Sequence, residues 1–122
     1  MIAGMAPWLD PRSYVFCTGG GAHPAALATF AEDEGLSQVL PLDLAHEAGG
    51  ETSGPMARIV LRVYSSLEGN GLTAAVAGVL AEQAIPCNMI AAFHHDHVFV
   101  PHELAERAMA VLQELQRRKA GG

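Results

Sequence analysis

Arg58-Ile59-Val60-Leu61-Arg62-Val63-Tyr64 sets Ile59, Leu61 and Val63 in alternation with Arg58, Val60, Arg62 and Tyr64. A strand with two unlike faces requires that period of two. Ser65-Ser66-Leu67-Glu68-Gly69-Asn70-Gly71 follows, and small turn-forming residues of this kind end a strand. Leu72, Val76, Val79 and Leu80 then recur at helical spacing, which lays one apolar stripe on the sheet. Pro86 is expected to stop that helix. Asn88 to Phe93 and His97 to Val100 read as two strands, with His94-His95-Asp96 as the turn between them. The remainder of the chain is placed around this β-α-β-β unit.

A chain of 122 residues is long enough for one compact domain that buries roughly two thirds of its unfolded surface. Half of it is hydrophobic, yet the longest apolar runs are far too short to span a bilayer. Met1-Ile2-Ala3-Gly4-Met5 has neither the cationic leader nor the long apolar core of a signal peptide, so a cytoplasmic protein is expected. Seven basic residues stand against thirteen acidic ones, a net charge of −6. The one basic run, Arg117-Arg118-Lys119, suits a helix C-terminus, where cations face the negative end of the dipole. That balance argues against nucleic acid as a partner, because such affinity comes largely from phosphate neutralisation. Cys17 and Cys87 form no CxxC and have apolar neighbours, which reads as buried free thiols in a reducing compartment.

Outward from the central unit, Pro7 to Arg12 is expected to be an irregular lead-in, with Trp8 plugging the edge of the core. Tyr14 to Thr18 is a strand, broken by Gly19-Gly20-Gly21. No GxxxxGK[ST] surrounds those glycines, so they read as a flexible turn rather than a phosphate cradle. Leu27 to Ala31 and Leu36 to Leu40 form a hairpin around Glu32-Asp33-Glu34-Gly35. Asp43 to Ala48 is a short helix with Asp43 near its N-cap. Residues 49–55 are read as a linker. Pro101 opens a last helix, with Leu104, Ala108, Val111, Leu112 and Leu115 as its buried stripe. Ala120-Gly121-Gly122 is expected to fray.

A repeat lies within this order. Val39 to Ala48 resembles Phe99 to Ala108 at a constant offset of 60 residues, with Pro, Leu and two Ala identical. Each half reads strand, hairpin, Pro, helix, and the first lacks the long helix from Gly71 to Ala84. The expected architecture is α+β: a βαββα unit at about 57–118, preceded by a truncated β-ββα pseudo-repeat at about 13–48.

Thr29-Phe30-Ala31-Glu32-Asp33-Glu34-Gly35-Leu36, Ser65 to Thr73, and His95-Asp96-His97-Val98-Phe99-Val100-Pro101 resemble small bacterial ACT-domain proteins. More narrowly they resemble the group related to the arginine-sensing CASTOR proteins. The resemblance covers about Tyr14 to Leu115. It implies a ferredoxin-like fold, no catalysis, no cofactor, and a regulatory module that binds an amino acid or similar metabolite. Ligands of such domains sit where the loop after the first strand faces a neighbouring repeat or subunit.

The loop's chemistry agrees with that implication. A helix starting near Gly71 leaves its first N–H groups for an anion such as an α-carboxylate. Ser65 and Ser66 add hydroxyls, Gly69 and Gly71 admit close approach, and Leu67, Asn70 and Leu72 complete the segment. Asp33 or Asp96 from a facing turn would accept the α-ammonium. Many metabolic ACT domains carry an Asp-x-Pro-Gly-like loop, and here only Gly71 answers to it. The open edges of such sheets lead to a homodimer as the expected assembly.

His95, His97 and His102 with Asp96 also suit a zinc or nickel ion. On a strand, however, His95 and His97 share one face while Asp96 points to the other. The pair is then a half-site needing His102, His46, His23 or a second subunit. The alternative, which we adopt, is that His95 and Asp96 make turn hydrogen bonds and His97 packs at the sheet edge. No GxSxG elbow surrounds Ser65-Ser66 and no nucleotide fingerprint occurs, so catalysis is not expected. A ligand-free assembly module remains the other alternative.

Overall fold

The computed structural model describes residues 4–62 and 71–121, with side chains through Lys119. It falls into two compact units, residues 1–10 with 57–122, and residues 11–56. In the larger unit the alternating stretch forms β5 (Met56–Leu61). Ala57, Ile59 and Leu61 are buried on one face and join the core, while Arg58 and Val60 point to the other. Val63 to Asn70 lie outside the described residues. Helix α1 (Leu72–Glu82) buries Leu72, Val76 and Leu80, one face at helical spacing.

This helix does not end because of Pro86, as expected, but two residues earlier. Ala84 sits at φ +57°, its N–H bonds to the Ala81 carbonyl, and the Ile85 N–H bonds to the Leu80 carbonyl. That is the Schellman pattern, completed by burial of Ile85 and by Arg107, which donates to the Gln83 carbonyl at 2.6 Å. Strands β6 (Asn88–Ala91) and β7 (Asp96–Pro101) then pair antiparallel, with Ala91 opposite Asp96. Phe93 therefore lies beyond the strand, and Asp96 belongs to it rather than to the turn. Pro101 leads into a 3-10 turn (His102–Leu104) before helix α2 (Ala105–Gly121). The helix includes Ala120 and Gly121, where fraying was expected. Leu112 is fully buried at the centre of this core, among Ile59, Val76, Val98 and Val100.

The fourth strand of the unit comes from the other end of the chain. Pro7 to Arg12 is not irregular but forms the first half of β1 (Pro7–Thr18), which lies beside β5. The strand was hidden because Asp10, buried on the face opposite Leu9 as half of an ion pair with Arg58, gives the stretch a charge where a buried strand usually carries an apolar residue. Trp8 plugs nothing and is 37% exposed. The order is β6-β7-β5-β1.

In the smaller unit the second half of β1 pairs antiparallel with β3 (Gly35–Pro41), and β3 pairs with β2 (Ala28–Glu32). Residues 49–55, read as a linker, contain β4 (Glu51–Thr52), paired with Cys17 and Thr18. Ser53 ends that ladder: its N–H bonds the Phe16 carbonyl, and its Oγ, instead of its own carbonyl, accepts the Phe16 N–H. The order β2-β3-β1-β4 repeats that of the larger unit position for position. A 3-10 helix (Leu42–Glu47) follows β3. Asp43 does not cap it; Pro41 holds the N-cap position, and Asp43 pairs with Arg12 at 3.2 Å. Val15, Cys17, Leu40 and Ala48 form the small core.

The glycines here are packed rather than flexible. A Cβ on Gly20 would lie 1.8 Å from the Ala48 carbonyl oxygen, and one on Gly50 would lie 2.0 Å from that of Thr18. Only bare backbone permits this approach. Gly20→Ala should therefore destabilise the protein by about 1–3 kcal/mol in urea titration, as overpacking does. Gly21→Ala, with nothing within 4 Å, should leave the midpoint unchanged. In the larger unit, Leu112→Ala should cost about 2–5 kcal/mol. A loss under about half a kcal/mol would contradict packing of α2 on the sheet.

Candidate functional site

Gly71 and Leu72 are the described part of the expected ligand loop; Ser65, Ser66, Leu67, Gly69 and Asn70 lie outside it. Gly71 is the N-cap of α1 at φ +97°, a left-handed conformation that glycine adopts without strain. Its carbonyl accepts the Ala75 N–H, and as a glycine it offers no side chain of its own to cap the helix. Among the described residues no side-chain cap is made to the first-turn N–H groups, the donors an anion site uses. Leu72 turns its side chain into the core, which leaves only its main chain for a ligand. Asp33 is exposed at the tip of the β2–β3 hairpin, whereas Asp96 is buried within the β6–β7 pair. Grooves among the described residues lie elsewhere. One of about 490 Å³ is lined by Ala6, Pro7, Gln113, Gln116 and Arg117, and one of about 310 Å³ runs along Phe16, Ser37 and Ser53.

His97 is not a half-ligand at a sheet edge. It lies on β7, one of the inner strands, and its Nδ1 is 3.0 Å from Nη1 of Arg58. A guanidinium can only donate, so Nδ1 accepts and the ring proton is on Nε2. Arg58 uses its Nε and Nη2 on one oxygen of Asp10, at 2.9 and 2.8 Å. Three neighbouring strands are thereby tied by one guanidinium whose side chain is 14% exposed. Burial lowers the His97 pKa first, and the Arg58 charge lowers it further. His102 is exposed on its 3-10 turn. Among the described residues no group of three or more His, Cys, Asp or Glu side chains is placed to hold a metal ion.

A second network shapes the loop after β1. Gln38, 3% exposed, donates Nε2–H to the Gly21 carbonyl and accepts the His23 N–H on Oε1. His23 accepts the Ala25 N–H on Nδ1 and so donates Nε2–H to Glu47, 2.9 Å away. Cys17 closes the set by donating Sγ–H to the Gln38 carbonyl at 3.4 Å, its thiol pKa pushed up by burial, as is that of Cys87. Neither network carries a sequence motif. The one available signal was a polar residue, Gln38 or Arg58, on a strand otherwise apolar enough to be buried.

Two family models described as ACT domain match the chain, over residues 1–57 and 49–114. None of the curated proteins matches it. A crystal structure from Vibrio cholerae, described as a protein of unknown function and possible transport protein, is 43% identical, with a TM-score of 0.83 over 95% of this chain and 93% of that one. An Agrobacterium tumefaciens protein is 18% identical, TM-score 0.71, over 85% and 83%. The regulatory subunit of aspartate kinase from Thermus thermophilus, in its ligand-free form, is 14% identical, TM-score 0.63, over 89% and 95%. The last two likenesses are of fold.

The His97 contact makes a pH prediction. Its folded pKa lies below the ordinary value near 6.5, so the native state favours the neutral ring. Above that value both states are neutral and the contact contributes in full. As the pH falls through it, the unfolded chain takes up a proton that the folded site resists, and stability declines until the folded pKa is passed. The urea midpoint should fall between about pH 7 and 5. His97→Gln, which keeps an acceptor for Arg58, should flatten that decline; an unchanged slope would show that His97 does not titrate in this way.

Proposed function

The chain is a member of the ACT-domain family, and from that premise we propose that it is a non-catalytic regulatory module that binds a free amino acid or a similar small metabolite. The observation that carries this reading is the start of α1. A left-handed glycine delivers the chain into the helix, and among the described residues no side chain caps its N-terminal N–H groups. A carboxylate is the small anion that such donors and the helix dipole favour. Ser65 and Ser66 would add hydroxyl donors, and Gly69 close backbone approach. Of the two acids expected to accept an α-ammonium, Asp33 is exposed and Asp96 is buried. The regulatory role named for the Thermus thermophilus subunit supports the same assignment. Within the family we place the chain with the group related to the CASTOR sensors, as a cytoplasmic homodimer. No helix among the described residues is long and apolar enough to cross a membrane.

A thermal-shift screen of the free amino acids at millimolar concentration tests the reading. A ligand at 100 times its Kd contributes about 2.7 kcal/mol, enough to raise the melting temperature by several degrees. Gly71→Val should abolish that rise. Open space surrounds Gly71, so the substitution strains the backbone rather than clashing, at roughly 1–2 kcal/mol. If no amino acid shifts the wild type, the sensing reading is wrong and an assembly role replaces it.

A further inference from the structure

We propose that the groove between the start of β1 and the later turns of α2 is a second binding site, which takes a small carboxylate. It lies wholly within the larger unit, holds about 490 Å³, and is lined by Ala6, Pro7, Gln113, Gln116 and Arg117. Small-molecule sites span about 300–1,000 Å³ and set a few aimed polar groups in apolar walls. Gln113, Gln116 and Arg117 stand at i, i+3 and i+4, so they share one face of the helix. Ala6 and Pro7 form the facing wall, and Ala6 is held there against its preference. A residue before proline is pushed toward extended backbone, and a left-handed φ is uncommon outside glycine. Ala6 precedes Pro7 and has φ +44°. Such a conformation persists where neighbours over-determine it, and residues of this kind cluster at ligand sites. Two contacts fix it here. The Ala6 N–H donates to Oε1 of Gln116 at 3.0 Å, and its carbonyl accepts Nε–H of Arg62 at 3.3 Å.

The first of these contacts also orients the Gln116 amide. A backbone N–H requires an acceptor, so Oε1 is the atom turned to Ala6 and the Nε2 donors remain for a ligand. Among the described residues neither Nε2 of Gln116 nor the Gln113 amide makes a hydrogen bond. Charge then selects the ligand. The chain has thirteen acidic and seven basic residues, yet Arg117, Arg118 and Lys119 gather on α2 and Arg62 bonds Ala6. Arg118 and Lys119 lie in the last turn, where they offset the negative end of the helix. Arg117 pairs with Glu114, but both are exposed, and a pair of that kind holds its partners weakly. The guanidinium can therefore turn to a carboxylate, which it takes through two parallel N–H···O bonds. Nε2 of Gln116 and the Gln113 amide are left for a second polar end.

Succinate titrated into the isotope-labelled full chain at matched ionic strength tests the site by NMR. The Ala6 amide and the side-chain amides of Gln113 and Gln116 should shift together and saturate below about 10 mM. Gln116→Glu keeps an acceptor for the Ala6 N–H and puts a negative charge where the Nε2 donors were. It should retain the wild-type circular dichroism spectrum and bind succinate at least about tenfold more weakly. Arg117→Ala, an exposed position, should weaken binding to a similar degree. Gly71→Val should leave succinate binding at the groove unchanged, so this site and the amino-acid site at the start of α1 fail separately. Absence of a saturable shift in the wild type would overturn the proposal. Equal affinity in wild type and Gln116→Glu would overturn it too. So would binding that is lost in Gly71→Val yet kept in Gln116→Glu, which would place the succinate at α1.

Discussion

The larger unit takes its fourth strand from the start of β1, and the Asp10–Arg58 ion pair ties that strand to β5. An uncovered β5 would present a row of unpaired N–H and C=O groups beside an apolar core. The first residues of β1 cover it, and Asp10 is drawn under by the guanidinium of Arg58. Burying such a pair costs much of what it returns, and removing one partner costs about 3–5 kcal/mol because the other charge is stranded. The pair is therefore better understood as fixing which strand sits there, and in which register, than as a net source of stability. His97 extends the constraint to β7 by accepting from Nη1 of the same guanidinium.

The two units reach one strand order by different means. The larger has two helices and a core running from Met5 to Leu115. The smaller has four buried core residues and no α-helix. What it lacks in apolar burial it replaces with polar connections: Gln38 pins the loop at Gly21 and His23, and His23 reaches Glu47. Both partners of the Gln38 side chain are backbone groups, so the loop is specified by its main chain rather than by side-chain volume. The paired glycines serve the same end, bringing the backbone at Gly20 against Ala48 and that at Gly50 against Thr18. Any Cβ there would force the turn after β1 away from the start of β4.

Periodicity made α1 and α2 readable because each has one face in an apolar core and one in water, and β5 and β7 were legible from their runs of apolar residues, which are buried on both faces. Phe16, Val39 and Leu36 likewise announced the hairpin partners of the smaller unit to within a residue. The first half of β1 was illegible because its buried residue is Asp10, held by Arg58 on the face opposite the apolar core, and a charge at a buried strand position imitates a loop. Gln38 was passed over as an ordinary strand residue, and Gly20 looked flexible because a sequence does not reveal that another backbone lies under it. His97 was recognised as notable but assigned to an edge, since its partner Arg58 is 39 positions away. Of the ligand loop, Gly71 was legible as the start of a helix. Its left-handed φ explains why the residue there is glycine.

The asymmetry between the units bears on where a ligand can be held. In both, a glycine-bearing loop follows the first strand of the repeat. In the smaller unit that loop spends its polar groups internally: the Gly21 carbonyl, the His23 N–H and the Ala25 N–H all bond to Gln38 or His23. No α-helix follows it, so there is no row of first-turn donors and no dipole to favour an anion. In the larger unit Gly71 leads into α1, at whose N-terminus no side-chain cap is made among the described residues. The two units thus share one strand order, and among the described residues only the larger follows its first strand with an α-helix. On the proposed reading the ligand is held at the start of α1, and the smaller unit contributes architecture rather than a second equivalent site.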